Sequence, residues 1–294
     1  MNPSTVRSHL GYHVVGALVV LIWGCTFVNS KVLLQHGLQA HEIFALRFLF
    51  AYLCIWFISP RRLWADSLRD ELQLVLLGMT GGSLYFVTEN EAVRIDYVNN
   101  VSFIVCTAPL LTTLLALALL RSVRATRPLV MGSVAATLGV ALVVFNGHFL
   151  LKLNPLGDLL ALSAALCWAV YSLLLRRLGG YGAVFVTRKV FFYGLVTVLP
   201  LFAVRPWQFP LEGFVRPVVW GNLLFLGLVA SFGCFALWSL VSKKIGALHA
   251  SNYIYLNPIS TVVFSALVLG ESMTWLACLG SALILLGVYW SNKG

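Results

Sequence analysis

The chain has 294 residues, of which 60% are hydrophobic and 10% charged, and its mean hydropathy is +0.91; soluble domains carry charge on about a quarter of their residues. That balance excludes a soluble globular protein. The net charge of +10 would suit nucleic acid, but its cations lie in short loops between apolar runs, which is an orientation signal in a membrane and leaves no nucleic-acid partner expected.

The apolar runs have about the 20 residues a spanning helix needs, whereas barrel strands would be shorter and alternating. The predicted fold class is therefore an all-α integral membrane protein. Hydropathy and the breaks between runs give ten spans, at 12–34, 41–59, 72–92, 97–120, 128–146, 157–178, 184–204, 217–240, 249–269 and 274–291. The opening MNPSTVRSHLGYH lacks a small-residue cleavage pattern, so the first span is read as a retained helix. With the N-terminus inside, the inner segments hold Arg7, Arg61, Arg62, Arg69, Arg121, Arg124, Arg127, Arg176, Arg177, Lys243, Lys244 and Lys293. The outer ones hold Arg94, Lys152, Arg205 and Arg216. Twelve against four predicts both termini cytoplasmic.

Within the first two spans, Lys31, Glu42 and Arg47 are expected to form a charge cluster that holds the helices together. Polar groups concentrate between Leu84 and Leu120, where Glu89, Asn90, Glu91, Asn99 and Asn100 would be costly in lipid unless they face water, a ligand or another helix. Glu89 has Tyr85 one turn earlier on its face. It reads either as an acid that takes a substrate ammonium or a coupling proton, or as an interfacial charge paired with Arg94 or Lys31. Glu91 and Asp96 are expected in the headgroup zone. Asn99, Asn100 and Ser102 open the fourth span, and Asn252, Tyr253, Tyr255 and Asn257 crowd the ninth. They are expected to line a polar pocket for a zwitterion or an aromatic metabolite; interhelical hydrogen bonds, about 0.6 kcal/mol each, are the alternative.

Pro109 and Pro258 mark hinge or unwound points in those spans. Trp23 and Trp168 fall mid-span, away from the interfacial belts, and are candidates for a cavity wall, with Tyr171 and Trp238 behind them in priority. The histidines His9, His13, His36, His41, His148 and His249 lie at span ends and read as solvent or interface groups. Six cysteines scattered singly read as packing residues, so no metal site is expected. No phosphate-binding loop, H-E-x-x-H or nucleophile–base pattern occurs, so neither enzyme activity nor a cofactor is expected.

The two halves resemble each other. Trp23 in LIWGCTF and Trp168 in ALCWAVY are 145 residues apart, Pro109 and Pro258 are 149 apart, and Gly132 and Gly139 lie 148 residues before Gly280 and Gly287. This spacing predicts a duplication with units 1–150 and 151–294, and five spans per unit place the second copy upside down. The glycines imply close helix packing, within the chain or between subunits.

These features, with LRFLFAYL around Arg47 and LVLGES containing Glu271, resemble the EamA-type transporters of the drug/metabolite transporter (DMT) superfamily. The resemblance implies a ten-helix, two-repeat carrier of small organic metabolites in the bacterial inner membrane, often an exporter. One departure is that Arg121-Ser122 stands in the first half where the second has Gly270-Glu271, and Glu271 is read as structural. The expected function is a secondary transporter that moves amino acids or related compounds by alternating access, in the export direction. A membrane-embedded binding or sensor protein without net flux is the alternative. Expected partners are the small-molecule substrate, membrane lipid and protons as a candidate coupling ion, and the expected state is a monomer or weak homodimer.

Overall fold

The computed structural model describes residues 3–58, 63–96, 98–120, 126–145, 154–269 and 275–292. Glu271 and Arg121 lie outside these residues. Regular structure among the described residues is helical: α1 (Pro3–Gln35), α2 (Ala40–Ile58), α3 (Leu68–Gly78), α4 (Leu84–Ile95), α5 (Val98–Val105), α6 (Ala108–Leu119) and α7 (Arg127–Phe145) come first. Then follow α8 (Pro155–Arg177), α9 (Ala183–Val204), α10 (Pro217–Leu224), α11 (Cys234–Ile245), α12 (Ala247–Asn252), α13 (Asn257–Leu269) and α14 (Trp275–Ser291). Six helical stretches among the described residues are long and apolar enough to cross a membrane: Leu10–Gln35, Ala40–Ile58, Val101–Leu119, Pro155–Arg177, Ala183–Val204 and Pro217–Ile245. Their outward residues, such as Leu18, Leu53, Leu166 and Leu199, present an apolar surface that suits acyl chains better than water.

Several of these helices are not regular throughout. π-helical Met79–Ser83 joins α3 to α4, and π-helical Phe225–Gly233 joins α10 to α11. The first contains Gly82 at φ −127, ψ −105, a kink rather than a turn of helix. The chain also breaks between α5 and α6 just ahead of Pro109, and passes through 3-10 turn Tyr253–Leu256 just ahead of Pro258. Proline lacks an N–H and clashes with the preceding turn, so a helix restarts at it more easily than it runs through it. At these two breaks the helices touch: Cys106 Sγ donates to the Ile254 carbonyl at 3.6 Å.

Helix ends follow local chemistry. Ser67 caps α3 by accepting from the Asp70 N–H at 3.1 Å, and Asn154 caps α8 through the Gly157 N–H at 3.3 Å, with Pro155 in the first turn. α11 ends with Lys243 and Lys244 in its last turn and Gly246 at φ +89, where cations complement the helix dipole and glycine alone reverses the chain without strain.

α1 packs on α13 and α11, while α8 packs on α6 and α4. Trp23 of α1 and Trp168 of α8 meet edge to face, with ring centroids 5.2 Å apart. The tightest helix pair is α7 with α14. A Cβ on Gly132 would fall 2.6 Å from the Gly287 carbonyl, one on Gly287 would fall 2.6 Å from the Gly132 carbonyl, and one on Gly139 would fall 2.7 Å from the Gly280 carbonyl. The glycines therefore join two helices of one chain, and no partner subunit is needed to explain them.

Hydrogen bonds lace the end of the bundle at which α1 finishes. Lys31 Nζ donates to the carbonyls of Val93 (2.6 Å) and Asp96 (3.3 Å). Glu91 pairs with Arg94 at 2.6 Å and Arg205 at 2.7 Å. Glu42 accepts from the backbone of Gln39, Gln208 and Phe209. The expected Lys31–Glu42–Arg47 cluster does not form, because backbone groups freed at helix ends engage the first two and Arg47 points into the bundle. At the opposite end, Tyr181 donates to Asp70 (2.7 Å) and Lys243 donates to the Tyr181 carbonyl (3.1 Å). Beside them a vestibule of about 340 Å³ opens between α8, α9, α11 and α12. His41 and His13 also differ from expectation: His41 is buried against Phe202, and His13 hydrogen-bonds the Tyr253 hydroxyl at 2.6 Å.

Candidate functional site

The two π segments free carbonyls that a regular helix would occupy, and side chains of the neighbouring helices use the longer one. Trp23 Nε1 donates to the Ala230 carbonyl at 2.8 Å, and Arg47 Nε donates to Ser231 Oγ at 2.9 Å. Phe225–Gly233 thereby orients an indole from α1 and a guanidinium from α2 toward one central cavity. Trp23→Phe would leave the buried Ala230 carbonyl without its donor, which costs about 1–3 kcal/mol. A lowered unfolding temperature in detergent, with the protein still folded, is the expected reading.

The cavity is lined by Trp23, Arg47, Tyr85, Glu89, Trp168 and Asn257, with Thr26, Phe86 and Phe235 among the rest of its wall. Arg47 is 1% exposed and Glu89 4%. The guanidinium lies 4.1 Å from the Phe86 ring centroid, a cation–π contact. Its Nη1 and Nη2 are buried and have no hydrogen-bond partner among the described residues. Tyr85 donates to Glu89 Oε1 at 2.8 Å across one helical turn. No approach within 4.0 Å joins Arg47 to Glu89, and Glu89 pairs with neither Arg94 nor Lys31, which are engaged elsewhere. Trp168 Nε1 and Asn257 Oδ1 are likewise buried without a partner. A cation, an acid, an N–H donor and an amide acceptor thus face one small space between aromatic walls. That space is about 20 Å³, room for about one water.

Of the residues singled out in the sequence, Trp23, Tyr85, Glu89, Trp168 and Asn257 meet at this cavity, whereas Asn90, Ser102, Tyr171, Trp238, Asn252, Tyr253 and Tyr255 do not line it. Asn90 donates to the Ala40 carbonyl at 3.3 Å, Asn252 donates to Asn292 at 3.1 Å, and Tyr253 bonds His13. Ser102 and Tyr255 are buried in helix contacts. The 3-10 turn over Tyr253–Leu256 advances more steeply per residue than an α-helix, so Tyr253 and Asn257, four residues apart, do not share one face as they would on a regular helix. Trp238 and Tyr171 form a second layer, with Trp238 5.1 Å from Trp23 and Tyr171 5.0 Å from Trp168 between ring centroids. Asn99 and Asn100 belong to α5, and their side chains lie outside those described. Arg47 is the residue the sequence reading placed elsewhere. Its signal was present: it is the one charge beyond the first turn of α2, and an ionisable group at that depth marks a site by the same rule that marks Glu89.

Apolar helices that enclose a small, doubly charged cavity and carry lipid-facing side chains outside define a multi-pass membrane protein. The sequence pattern of the EamA-like transporter family matches residues 10–145 and again residues 155–293, and the chain belongs to that family of transporters. It is similar to an uncharacterized transporter of Archaeoglobus fulgidus, 26% identical over 94% of this chain and 96% of the relative. A probable amino-acid metabolite efflux pump of Escherichia coli strain K12 is 25% identical over 94% of this chain and 93% of that protein. A probable terminal-alkyne amino-acid exporter of Streptantibioticus cattleyicolor is 27% identical over 94% and 91%. One solved crystal structure shares the fold with a TM-score of 0.75 at 17% identity, over 96% of this chain and 97% of that one.

Proposed function

We propose that this transporter is a secondary carrier that exports small organic zwitterions, amino acids or related compounds, across the bacterial inner membrane by alternating access. The observation that carries this reading is the pair Arg47 and Glu89, which face one cavity and attract each other across it with no N···O contact within 4.0 Å. Arg47 would bind the carboxylate through its two unpartnered nitrogens, Glu89 the ammonium, and the Trp23–Trp168–Phe235 wall the side chain. Relatives described as an amino-acid metabolite efflux pump and an amino-acid exporter support the class and direction.

The proposal includes ten spans, both termini in the cytoplasm, and two inverted repeats. The double family match supports it, and so does the reciprocity of the contacts. A shift of 148 residues exchanges the Gly132–Gly287 contact with Gly280–Gly139, and it relates the touching residues Cys106 and Ile254. The pairings of α1 with α13 and α8 with α6 are exchanged in the same way, as are the two π segments.

In this orientation the laced end is outside and the vestibule opens inside. Along α8 the order is Trp168, Tyr171, Leu175, and along α11 it is Phe235, Trp238, Ser242; the first of each lines the cavity and the last the vestibule. Tyr171 and Trp238 therefore separate cavity from vestibule, and substrate entering from the cytoplasm passes them. A cavity of about 20 Å³ holds no amino acid, so the repeats must part to load, turning at the breaks before Pro109 and Pro258.

Counterflow in proteoliposomes tests the zwitterion assignment. A labelled amino acid that exchanges should be displaced by its parent compound, but not by its methyl ester, which lacks the carboxylate, nor by its N-acetyl form, which lacks the ammonium. Equal competition by all three would contradict it. With Glu89 as the proton-coupling group, Glu89→Gln is expected to abolish flux driven by a pH gradient while substrate-for-substrate exchange persists at weaker affinity, because the amide carbonyl still accepts from the ammonium but without the charge. Undiminished proton-driven flux in that variant would remove Glu89 from the coupling step.

A further inference from the structure

Arg188 and Lys189 sit in the second turn of α9 and take no part in the central cavity. Both are buried, Arg188 to 2% exposure. Lys189 and the Tyr193 hydroxyl both donate to one oxygen of Glu71, and no second acid faces the pair among the described ion pairs. Among the described residues Arg188 has no ion-pair partner: its guanidinium lies 5.4 Å from the Trp56 ring and 5.6 Å from that of Phe185, and its Nη1 and Nη2 are buried without a hydrogen-bond partner there. A buried guanidinium with two idle donors is costly unless something anionic completes it.

Both cations open into a cavity of about 150 Å³ walled by Tyr52, Trp56, Trp64 and Phe192. Trp64, on its rim, is 68% exposed and lies over Lys189 Nζ at 4.8 Å. The surface beside the opening is apolar, with Phe57 84% exposed and Ile58 and Leu63 also outside. This is a cationic pocket one to two turns below the ends of α2 and α9, bordered by tryptophans and facing acyl chains. We propose that it binds the headgroup phosphate of an anionic phospholipid, with the guanidinium fork of Arg188 on the phosphate oxygens and the acyl chains lying along Phe57 and Leu63. A soluble anion would need the charge but not the apolar rim, and the tryptophans are the residues that settle at the lipid headgroup level. In the orientation proposed above the end of α2 and the start of α9 are inside, which puts the pocket in the cytoplasmic leaflet; only that placement rests on the proposed orientation.

The test uses full-length protein, delipidated in detergent, with lipid binding followed by native mass spectrometry and thermal unfolding. Phosphatidylglycerol should bind and raise the unfolding temperature, whereas phosphatidylcholine and inorganic phosphate should do neither. Arg188→Met should weaken phosphatidylglycerol binding roughly tenfold or more and unfold no lower than the parent when lipid is absent, because the idle guanidinium is gone. Trp64→Ala, on the exposed rim, should weaken the same lipid several-fold. Equal stabilisation by phosphatidylcholine would overturn the headgroup assignment, and equal stabilisation by inorganic phosphate would reassign the pocket to soluble anions. Parental affinity in Arg188→Met would overturn the site, and if that variant does not fold, parental affinity in Trp64→Ala overturns it instead. None of these readouts involves transport, so the lipid site and the carrier function fail separately.

Discussion

Arg47→Met is expected to lower exchange of an amino-acid substrate by about 100-fold or more, because two charge-assisted hydrogen bonds to a carboxylate are lost. The fold should survive. Arg47 gives one hydrogen bond to Ser231, lies against the Phe86 ring and is attracted by Glu89, while Nη1 and Nη2 have no hydrogen-bond partner among the described residues, so part of its desolvation is not repaid by protein contacts. Methionine fills similar space without that penalty, and the Ser231 hydroxyl can turn to a helix carbonyl instead. Paired measurements of counterflow and thermal unfolding check this. Loss of flux at near-parental stability is the predicted result, whereas lost stability with intact flux in the surviving protein would make Arg47 a structural residue.

Gly139→Val should destabilise the protein more than any cavity substitution. Its Cβ would sit 2.7 Å from the Gly280 carbonyl and 2.7 Å from the Ile284 N–H, and both are backbone, which cannot turn away as a side chain would. Overpacking ordinarily costs about 1–3 kcal/mol where side chains can adjust; here α7 and α14 must separate along their length. In a membrane, helices gain little from burying apolar surface against each other, so close packing through small residues carries the association. Expression and detergent-stable yield should fall sharply. Gly221→Ala is the matched control: it lies in α10 with nothing within 4 Å of the new methyl, and it should be neutral or stabilising by about 0.5–1 kcal/mol from helix propensity. A stable Gly139→Val protein would contradict the packing described for α7 and α14.

The chain's own physics made some of this legible in advance. Long uncharged runs announce membrane helices, prolines at 109 and 258 announce the breaks that precede them, and glycines seven residues apart announce a close helix contact. Trp23, Trp168 and the Tyr85–Glu89 turn could be picked out because each violates what lipid tolerates or where aromatic rings settle. What was not legible depends on register and on neighbours distant in sequence. MTGGS and FLGLVASFG read as ordinary helix, yet both are π-helical, and the second orients Trp23 and Arg47. A 3-10 turn at Tyr253–Leu256 altered which side chains share a face, which moved Tyr253 and Tyr255 away from the cavity. Arg47 was assigned to the nearest acid in sequence, Glu42, although that carboxylate is occupied by backbone N–H groups from residues 39, 208 and 209, a loop contact that no local pattern shows.

Coupled transport through the Arg47–Glu89 cavity is tested by flux in proteoliposomes that contain only this protein. A mixed pool of labelled amino acids and related metabolites would be offered with and without an imposed pH gradient, to the parent protein and to Arg47→Met. Gradient-dependent accumulation of at least one zwitterion by the parent, and its loss in the variant, is the expected result. Absence of any flux from protein shown to be folded would contradict it and favour a membrane-embedded binding or sensor protein; flux unaffected by Arg47→Met would place the substrate path elsewhere in the bundle.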